Sequence, residues 1–264
     1  MSTDHEYLTF LGTGTSVGVP VIGCRCMVCT STDPCNNRTR SSILIKSGGT
    51  SLLVDSGPDL REQALREKIS SIDAVIYTHS HLDHVVGFDE LRAFCWHRQD
   101  PLPLYATQYC LDVLKNMFAW AFDAGNSYPG YIKPDPRIVA EPFQFGSLGI
   151  TPLPVIHGSV VTVGYLFETK NAFRFAYLPD VKTIPESTLS MMEDLDLLII
   201  DSLRNEPHAT HLSVPESLEI AKRLSPARTI FTHISHDIDH ATLSAELPPG
   251  ISLAHDGLHV ALID

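Results

Sequence analysis

The stretch that decides the fold is Thr78-His79-Ser80-His81-Leu82-Asp83-His84, which directly follows an apolar strand candidate. It brings three imidazoles and one carboxylate into six positions, and both groups bind first-row divalent metals. In an extended segment His79 and His81 face the same side, whereas Asp83 and His84 follow where the chain turns into a helix. The donors are too dense for one tetrahedral ion. We therefore predict a metal site that holds two ions.

Composition and charge narrow the class of protein. The chain has 264 residues, of which 44% are hydrophobic and 19% charged, as in an ordinary globular protein. Its net charge of −12 and the absence of a Lys and Arg run argue against a nucleic-acid partner. No apolar stretch is long enough for a membrane span, and residues 1–10 do not resemble a signal peptide. We expect a cytoplasmic protein with no membrane partner.

The order of the elements predicts an α/β (α+β) fold in which two sheets pack together with helices outside. No linker, low-complexity segment or short repeat interrupts the chain, so we predict one domain over residues 1–264. The aromatic residues of segment 119–136 lie among Gly and Pro, which indicates either a loop packed on the core or a lid over the site. The strand candidates are residues 7–11, 42–45, 51–54, 74–77, 104–106, 150–156, 161–168, 173–177, 195–200 and 228–231. The helix candidates are residues 59–68, 87–94, 108–118, 186–193 and 214–224.

Three later residues complete the predicted ligand set. His157, Asp180 and His233 each follow the end of a strand candidate, and strand ends at one edge of packed sheets converge. A carboxylate can bind one ion with each oxygen, so Asp180 is the natural bridge. We assign His79, His81 and His157 to one ion, and Asp83, His84 and His233 to the other, with Asp180 shared. Each ion keeps room for water, as a catalytic site requires.

A second metal site is predicted in the loop at about residues 17–40. Cys24, Cys26 and Cys29 offer three thiolates within six residues, one short of a closed tetrahedral site. Clustered cysteines in a reducing compartment indicate a metal site more than disulfides. A structural zinc ion would stabilise a loop that has little apolar content. The spacing leaves His236 and Cys35 open as the fourth ligand.

His211 is the candidate for general acid catalysis. It lies just before the helix that begins near residue 214, where Ser213 and Glu216 form a capping box that would fix its position. A histidine that is not a ligand, beside a two-metal centre, suits protonation of a leaving oxygen. Asp55, at another strand end, is a candidate for orienting a ligand histidine through its second ring nitrogen. Ser16, Arg40 and Arg92 are candidate substrate contacts without further support.

The histidine run followed by His157, Asp180 and His233 resembles the metallo-β-lactamase superfamily of metallohydrolases, over nearly the whole chain. The resemblance implies a four-layer αβ/βα sandwich with the metals at one edge. Two stretches distinguish families within the superfamily more closely: Gly12-Thr13-Gly14-Thr15-Ser16 and Cys24-Arg25-Cys26-Met27-Val28-Cys29. They resemble the phosphoribosyl 1,2-cyclic phosphate phosphodiesterases of the carbon–phosphorus lyase pathway.

That closer resemblance implies particular roles for residues of this chain. It implies a structural zinc on Cys24, Cys26, Cys29 and His236, which favours His236 over Cys35. It implies that His211, in Thr210-His211-Leu212-Ser213, is the catalytic histidine and that manganese occupies the active centre, although the ligands alone would equally accept zinc. We count Asp83 as both a ligand and a catalytic residue. A homodimer is expected from the superfamily only.

The predicted function is a two-metal phosphodiesterase that hydrolyses a small cyclic phosphate ester, such as phosphoribosyl 1,2-cyclic phosphate. Two alternatives share the fold. The tRNA 3′-processing ribonucleases share the Gly-rich opening and the histidine run, but would need a basic track or an exosite arm, and neither is visible here. The coenzyme pyrroloquinoline quinone biosynthesis protein B has a similar Cys-x-Cys-x-x-Cys loop and stands for a non-hydrolytic member.

Overall fold

The computed structural model describes residues 6–96, 98–125 and 128–263. Within these residues the strands form two mixed sheets of seven strands each. The first sheet contains β1 (Tyr7–Gly12), β2 (Ser42–Ser47), β3 (Thr50–Val54), β4 (Ala74–Ile76), β5 (Leu102–Ala106), β6 (Pro134–Ile138) and β14 (His259–Ala261). The second contains β7 (Phe143–Phe145), β8 (Leu148–His157), β9 (Val160–Glu168), β10 (Arg174–Leu178), β11 (Leu197–Asp201), β12 (Arg228–Thr232) and β13 (Ile251–Leu253). Their orders are β14-β1-β2-β3-β4-β5-β6 and β13-β12-β11-β10-β9-β8-β7.

The helices lie on the outer faces of the two sheets. They are α1 (Leu60–Arg66), α2 (Leu82–Val85), α3 (Arg92–Cys95), α4 (Gln108–Met117), α5 (Ala119–Phe122), α6 (Glu186–Met191), α7 (Val214–Leu224) and α8 (His240–Glu246), with 3₁₀ turns at Pro34–Asn36 and Val86–Leu91. On α4 the apolar residues Leu111 and Leu114 are buried against the first sheet, and on α6 Leu189 is buried against the second. This spacing of apolar residues is typical of helices that bury one face.

The inner core lies between the sheets. Phe10 of β1 shares one buried cluster with Phe167 of β9 and Phe175 of β10, and the last two rings stack with centroids 4.9 Å apart. Full burial of such a side chain contributes about 2 kcal/mol to folding. Two further clusters join each sheet to its helices, so the order of layers is helix, sheet, sheet, helix. The predicted four-layer αβ/βα sandwich is confirmed. The prediction of one domain stays a prediction, with which an inner cluster built from both sheets agrees.

Strand direction brings the site together. β3, β4 and β5 are parallel neighbours in the first sheet, and β10, β11 and β12 are parallel neighbours in the second. β8 runs in the same direction as β10 because both are antiparallel to β9. In sheets of this kind ligands bind beyond the carboxyl ends of the strands. The residues that follow these strands are therefore the ones to examine for chemistry.

Six elements were not predicted from the sequence, and one predicted helix differs from the structure. The six are β6, β7, β13, β14, α5 and α8; β6 carries two prolines, which its position at a sheet edge tolerates. The helix predicted over residues 87–94 begins as the 3₁₀ turn Val86–Leu91 and continues as α3. Within this turn Gly87 donates its N–H to the carbonyl of Ser56 (3.0 Å), and a Cβ at this position would collide with the Gly57 backbone.

Segment 119–136 was predicted as either a packed loop or a lid. Its described part starts with α5, and Phe118, Trp120 and Phe122 pack against the cluster under α4. Residues 126 and 127 lie outside the described residues. A role for this segment as a lid stays a prediction. Among the helices that the structure describes, none has the length and apolar character needed to cross a membrane.

Candidate metal centre

Every predicted active-centre ligand lies at the carboxyl edge of the two sheets. His79 follows β4, His157 ends β8, Asp180 follows β10 and His233 follows β12. Donor atoms of these residues and of the histidine run form two groups, in which the atoms lie within 4.8 Å of one another. The groups are His79, His81 and His157, and Asp83, His84, Asp180 and His233. They contain every predicted active-centre ligand, with Asp180 in the second group only, and their role as ligands stays a prediction. His211 lies in two further groups, one with His157 and Asp180 and one with Asp201 and His233.

The first group consists of imidazoles alone. His79 Nε2 lies 2.9 Å and His157 Nε2 lies 3.3 Å from His81 Nδ1. Burial lowers the pKa of all three rings, most strongly that of His79. They are therefore neutral at pH 7, which is the form that binds metals. Three ring nitrogens that point at one place are better satisfied by a divalent cation than by hydrogen bonds with one another.

The second group combines carboxylates with imidazoles. His84 Nε2 lies 3.3 Å from Asp83 Oδ2 and 3.1 Å from Asp180 Oδ2, and His233 Nε2 lies 3.3 Å from Asp180 Oδ1. Asp180 Oδ1 also lies 3.9 Å from His157 Nε2 of the first group. Asp180 thus stands between the two groups, where a bridging carboxylate would have to lie.

Buried atoms without hydrogen bonds show that the second group fits a cation. Among the described residues, His84 Nε2, His233 Nε2 and Asp180 Oδ2 are buried and have no hydrogen-bond partner. Each has a close polar neighbour, but none is in hydrogen-bonding geometry. Burial alone would raise the pKa of Asp180 and Asp83, yet the charges of neighbouring histidines hold both below their usual values. Buried carboxylates of this kind are paired or bind metals.

Asp55 orients both groups from behind. It is fully buried and accepts hydrogen bonds from His84 Nδ1 (2.7 Å), Thr78 N (2.8 Å) and Thr78 Oγ1 (2.8 Å). The Thr78 hydroxyl in turn accepts a hydrogen bond from His79 Nδ1 (3.0 Å). In His84 and His79 the ring nitrogen that faces a metal group is therefore the one opposite a fixed hydrogen bond, the arrangement common behind metal-bound histidines. Asp55 was predicted to orient a ligand histidine, and the histidine that it contacts directly is His84.

Asp201, which the sequence reasoning missed, plays a similar part for His211. It is fully buried at the end of β11, and its Oδ2 accepts a hydrogen bond from His211 Nδ1 (2.7 Å). Burial raises the pKa of Asp201 and lowers that of His211. The His211 ring stacks on His233 with centroids 4.7 Å apart, so its Nε2 side lies against the metal groups. A carboxylate after an apolar strand is the signal that identified Asp180, and it would also have found Asp201.

A cavity of about 420 Å³ opens in front of these groups. Its lining includes predicted ligands and His211, together with Ser16 and Ser159. Ser16 is thus placed where a substrate contact was considered. Arg40 and Arg92 are not among the lining residues; they pair with Asp59 (3.2 Å) and Asp89 (3.5 Å).

The cysteine loop forms a separate group of donors. His236 Nδ1 lies 3.3 Å from Cys24 Sγ and 3.5 Å from the sulfurs of Cys26 and Cys29. A hydrogen bond from the Cys29 backbone N–H lowers the pKa of Cys26 to about 6, which favours the thiolate. Cys35 belongs to none of the donor groups in the described part of the chain. The structure therefore brings together the set that includes His236; its binding of zinc stays a prediction.

Comparisons with known proteins agree with this architecture. A family model described as a β-lactamase superfamily domain matches residues 50–234. A solved structure described as a new diphosphatase from the PhnP family is 42% identical, with a TM-score of 0.89, over 97% of this chain and 96% of that one. A coenzyme PQQ synthesis protein B from Methylobacterium radiotolerans is 26% identical over 97% of this chain and 99% of its own length.

One curated relative is longer than this chain. An octanoyltransferase from Porphyromonas gingivalis is 38% identical over 96% of this chain, which spans only 51% of that protein. The chain therefore matches about half of that relative, and its name describes a protein twice as long. The superfamily model matches residues 50–234, and the similarity to the PhnP-family diphosphatase extends over nearly all of both chains. This chain belongs to the β-lactamase superfamily and, within it, to the PhnP family of metal-dependent hydrolases.

Proposed function

We propose that this protein is a two-metal phosphodiesterase that hydrolyses a small cyclic phosphate ester, such as phosphoribosyl 1,2-cyclic phosphate. The observation that carries the proposal is the pair of donor groups with Asp180 between them, at the floor of a cavity that His211 also lines. The two groups would hold two divalent ions, the number that hydrolysis of a phosphoester by a two-metal mechanism requires.

The predicted ligands would hold two divalent ions, manganese or zinc, and the cysteine group would hold one structural zinc. When bound, the two active-centre ions would neutralise charge on the phosphate oxygens and make a water molecule more acidic. The imidazoles of the first group would remain neutral donors because burial keeps their pKa low. Asp83 and Asp180 would supply the negative charge that offsets the ions.

His211 would protonate the oxygen that leaves phosphorus. Its Nδ1–H donates to Asp201, so the proton that it gives away must come from Nε2. The Asp201 carboxylate would stabilise the protonated ring, as an orienting carboxylate does for a catalytic histidine, against the burial that lowers the pKa of His211. Stacking on His233 and an edge contact with His157 (centroids 4.6 Å apart) fix the plane of the ring. General acid catalysis of this kind contributes about 10²–10⁴-fold to the rate.

Other reactions are less well supported by the cavity. Its described lining contains a single large apolar side chain, Val160, so it does not suit an octanoyl chain. It also contains no Lys or Arg, which a track for RNA would need. A diphosphate remains the second candidate substrate, because the PhnP-family neighbour at 42% identity is described as a diphosphatase. We propose a small-molecule substrate, no nucleic-acid or membrane partner, and a homodimer that gel filtration with light scattering would test.

The test is a substrate panel with metal-loaded protein. We expect turnover of bis(p-nitrophenyl) phosphate and of a ribose 1,2-cyclic phosphate, with weaker turnover of a sugar diphosphate and none of RNA. Asp180→Ala, purified in the same way, controls for a contaminating hydrolase. Protein that contains two ions per active centre yet leaves both phosphodiesters intact would refute the proposal and favour a non-hydrolytic role. Faster turnover of the diphosphate would select the second candidate.

A further inference from the structure

His208 lines the same cavity, and no role has been assigned to it so far. It precedes His211 by three residues, and the two ring centroids lie 5.2 Å apart. It is not part of any of the donor groups found among the described residues, so it is not a metal ligand candidate. Its ring thus lies at the cavity beside the ring of His211, the proposed acid, where the non-phosphate part of a substrate would lie.

The hydrogen bonds of His208 fix its tautomer. Thr210 directs its backbone N–H and its hydroxyl at His208 Nδ1, both at 3.3 Å. A nitrogen that accepts a backbone N–H carries no proton, so the neutral ring must carry its proton on Nε2. Burial and the neighbouring charge of His211 lower the pKa of His208, which agrees with a neutral ring. Among the described residues, no acceptor is found for Nε2–H.

The position of His208 is also fixed relative to the metal centre. The carbonyl of Thr210 accepts a hydrogen bond from Nδ1 of the predicted ligand His157 (2.8 Å). Thr210 thus contacts both residues. Its carbonyl accepts a hydrogen bond from the predicted ligand His157, and its backbone N–H donates one to His208. His211, the next residue, is held by Asp201. A donor held in this way does not need to be ordered again when a substrate binds.

We propose that His208 is a substrate-binding residue that donates a hydrogen bond from Nε2 to a sugar oxygen of the leaving group. The inference rests on the proposed function and narrows its substrate class to esters whose leaving oxygen has a hydroxyl or ring oxygen on a neighbouring carbon. A p-nitrophenyl group has no such oxygen beside the departing one. His208 would therefore separate sugar esters from aryl esters.

The first test compares two substrates and two variants. His208→Ala should lower kcat/KM for ribose 1,2-cyclic phosphate about fivefold to tenfold more than for bis(p-nitrophenyl) phosphate, as loss of one neutral hydrogen bond predicts. His208→Gln, whose amide N–H can take the place of Nε2–H, should recover most of the difference. His259→Ala, a change of an exposed histidine on β14, controls for the loss of an imidazole elsewhere. Equal losses for the two esters, or no loss, would overturn the inference.

The second test does not require turnover. Ribose 1-phosphate should bind the metal-loaded protein more weakly after His208→Ala, by a similar factor, whereas methyl phosphate should bind both proteins alike. In ¹⁵N-histidine spectra at pH 7, the signal lost in the variant should be that of an Nε2–H tautomer; an Nδ1–H tautomer or an imidazolium would overturn the inference. If no ester is hydrolysed but these two results hold, the proposed reaction fails and the binding role survives. If esters are hydrolysed and the affinities do not differ, only the binding role fails.

Discussion

The substitution Asp55→Asn tests whether a buried carboxylate behind the site sets metal affinity. Asp55 has a backbone φ of +63°, in the left-handed region that Asn tolerates well, so the exchange keeps the backbone and the side-chain shape. It removes the negative charge and replaces one acceptor oxygen by an NH₂ donor. The hydrogen bond from His84 Nδ1 at 2.7 Å then loses its charged partner.

The expected magnitude follows from these contacts. A hydrogen bond to a charged group contributes about 1.5–3 kcal/mol, and 1.36 kcal/mol corresponds to a tenfold change in affinity. We expect metal binding to weaken about 10–100-fold, the usual effect of removing an orienting partner. The ion held with His84 should be affected more than the ion held with His79, because Asp55 reaches His79 only through the Thr78 hydroxyl.

The assay is calorimetric titration of metal-free protein with Mn²⁺, with two binding steps fitted separately. Asp256→Asn is the matched control, since Asp256 is mostly buried and accepts hydrogen bonds from the N–H and the hydroxyl of one threonine, Thr39 (2.8 and 2.6 Å). This control should lower Tm without a change in metal affinity. The reasoning is wrong if Asp55→Asn leaves both affinities within twofold of wild type, or if the control weakens them equally.

Four further predictions concern the other groups. Asp180→Ala should lose bound metal and phosphodiesterase activity together, as measured by elemental analysis and turnover. His211→Ala should keep both ions while kcat falls about 10²–10⁴-fold, and unchanged turnover would show that another group is the acid. Cys26→Ser should remove one zinc per chain and lower Tm while the active-centre ions stay, because structural zinc binding contributes to folding. His240 has a folded-state pKa of about 4, set by burial and by Arg38, so stability should fall as pH drops from about 6.5 to about 4 and remain flat above; in His240→Asn the pH dependence of Tm should flatten.

The place of the predicted ligands at the sheet edge could be inferred because each of them has a local signal. A metal-capable side chain directly after an apolar strand candidate is visible in the sequence at His157, Asp180 and His233. Because parallel strands end at one edge of a sheet, the direction of the strands then brings these side chains together. The capping residues before α7 gave a similar local signal, and the structure has Ser213 N–H donating to Glu216 (2.8 Å).

The supporting contacts could not be predicted because their partners are distant or belong to the backbone. His157 is oriented by the carbonyl of Thr210, 53 positions away, and a carbonyl is present at every residue of any sequence. His236 reaches Cys24 across 212 positions, so spacing alone could not choose between His236 and Cys35. Asp201 differs, because its place after an apolar strand made it predictable by the rule used for Asp180.

The backbone conformation at the strand ends could not be predicted from the sequence either. It explains the direction of the side chains of Asp55 and His233. Asp55 and His233 each follow a parallel strand directly and each has a positive φ, +63° and +57°. In a continuing strand, side chains alternate between the two faces, so neither residue would point along the strand toward the edge. A left-handed residue breaks the alternation at a cost of about 1–3 kcal/mol, which persists only where surrounding contacts fix it. For Asp55 these contacts are three hydrogen bonds, whereas both ring nitrogens of His233 are buried without a partner among the described residues. The His233 ring stacks on His211, and we predict that a cation shared with Asp180 provides the missing partner for its nitrogens and helps to offset the strain.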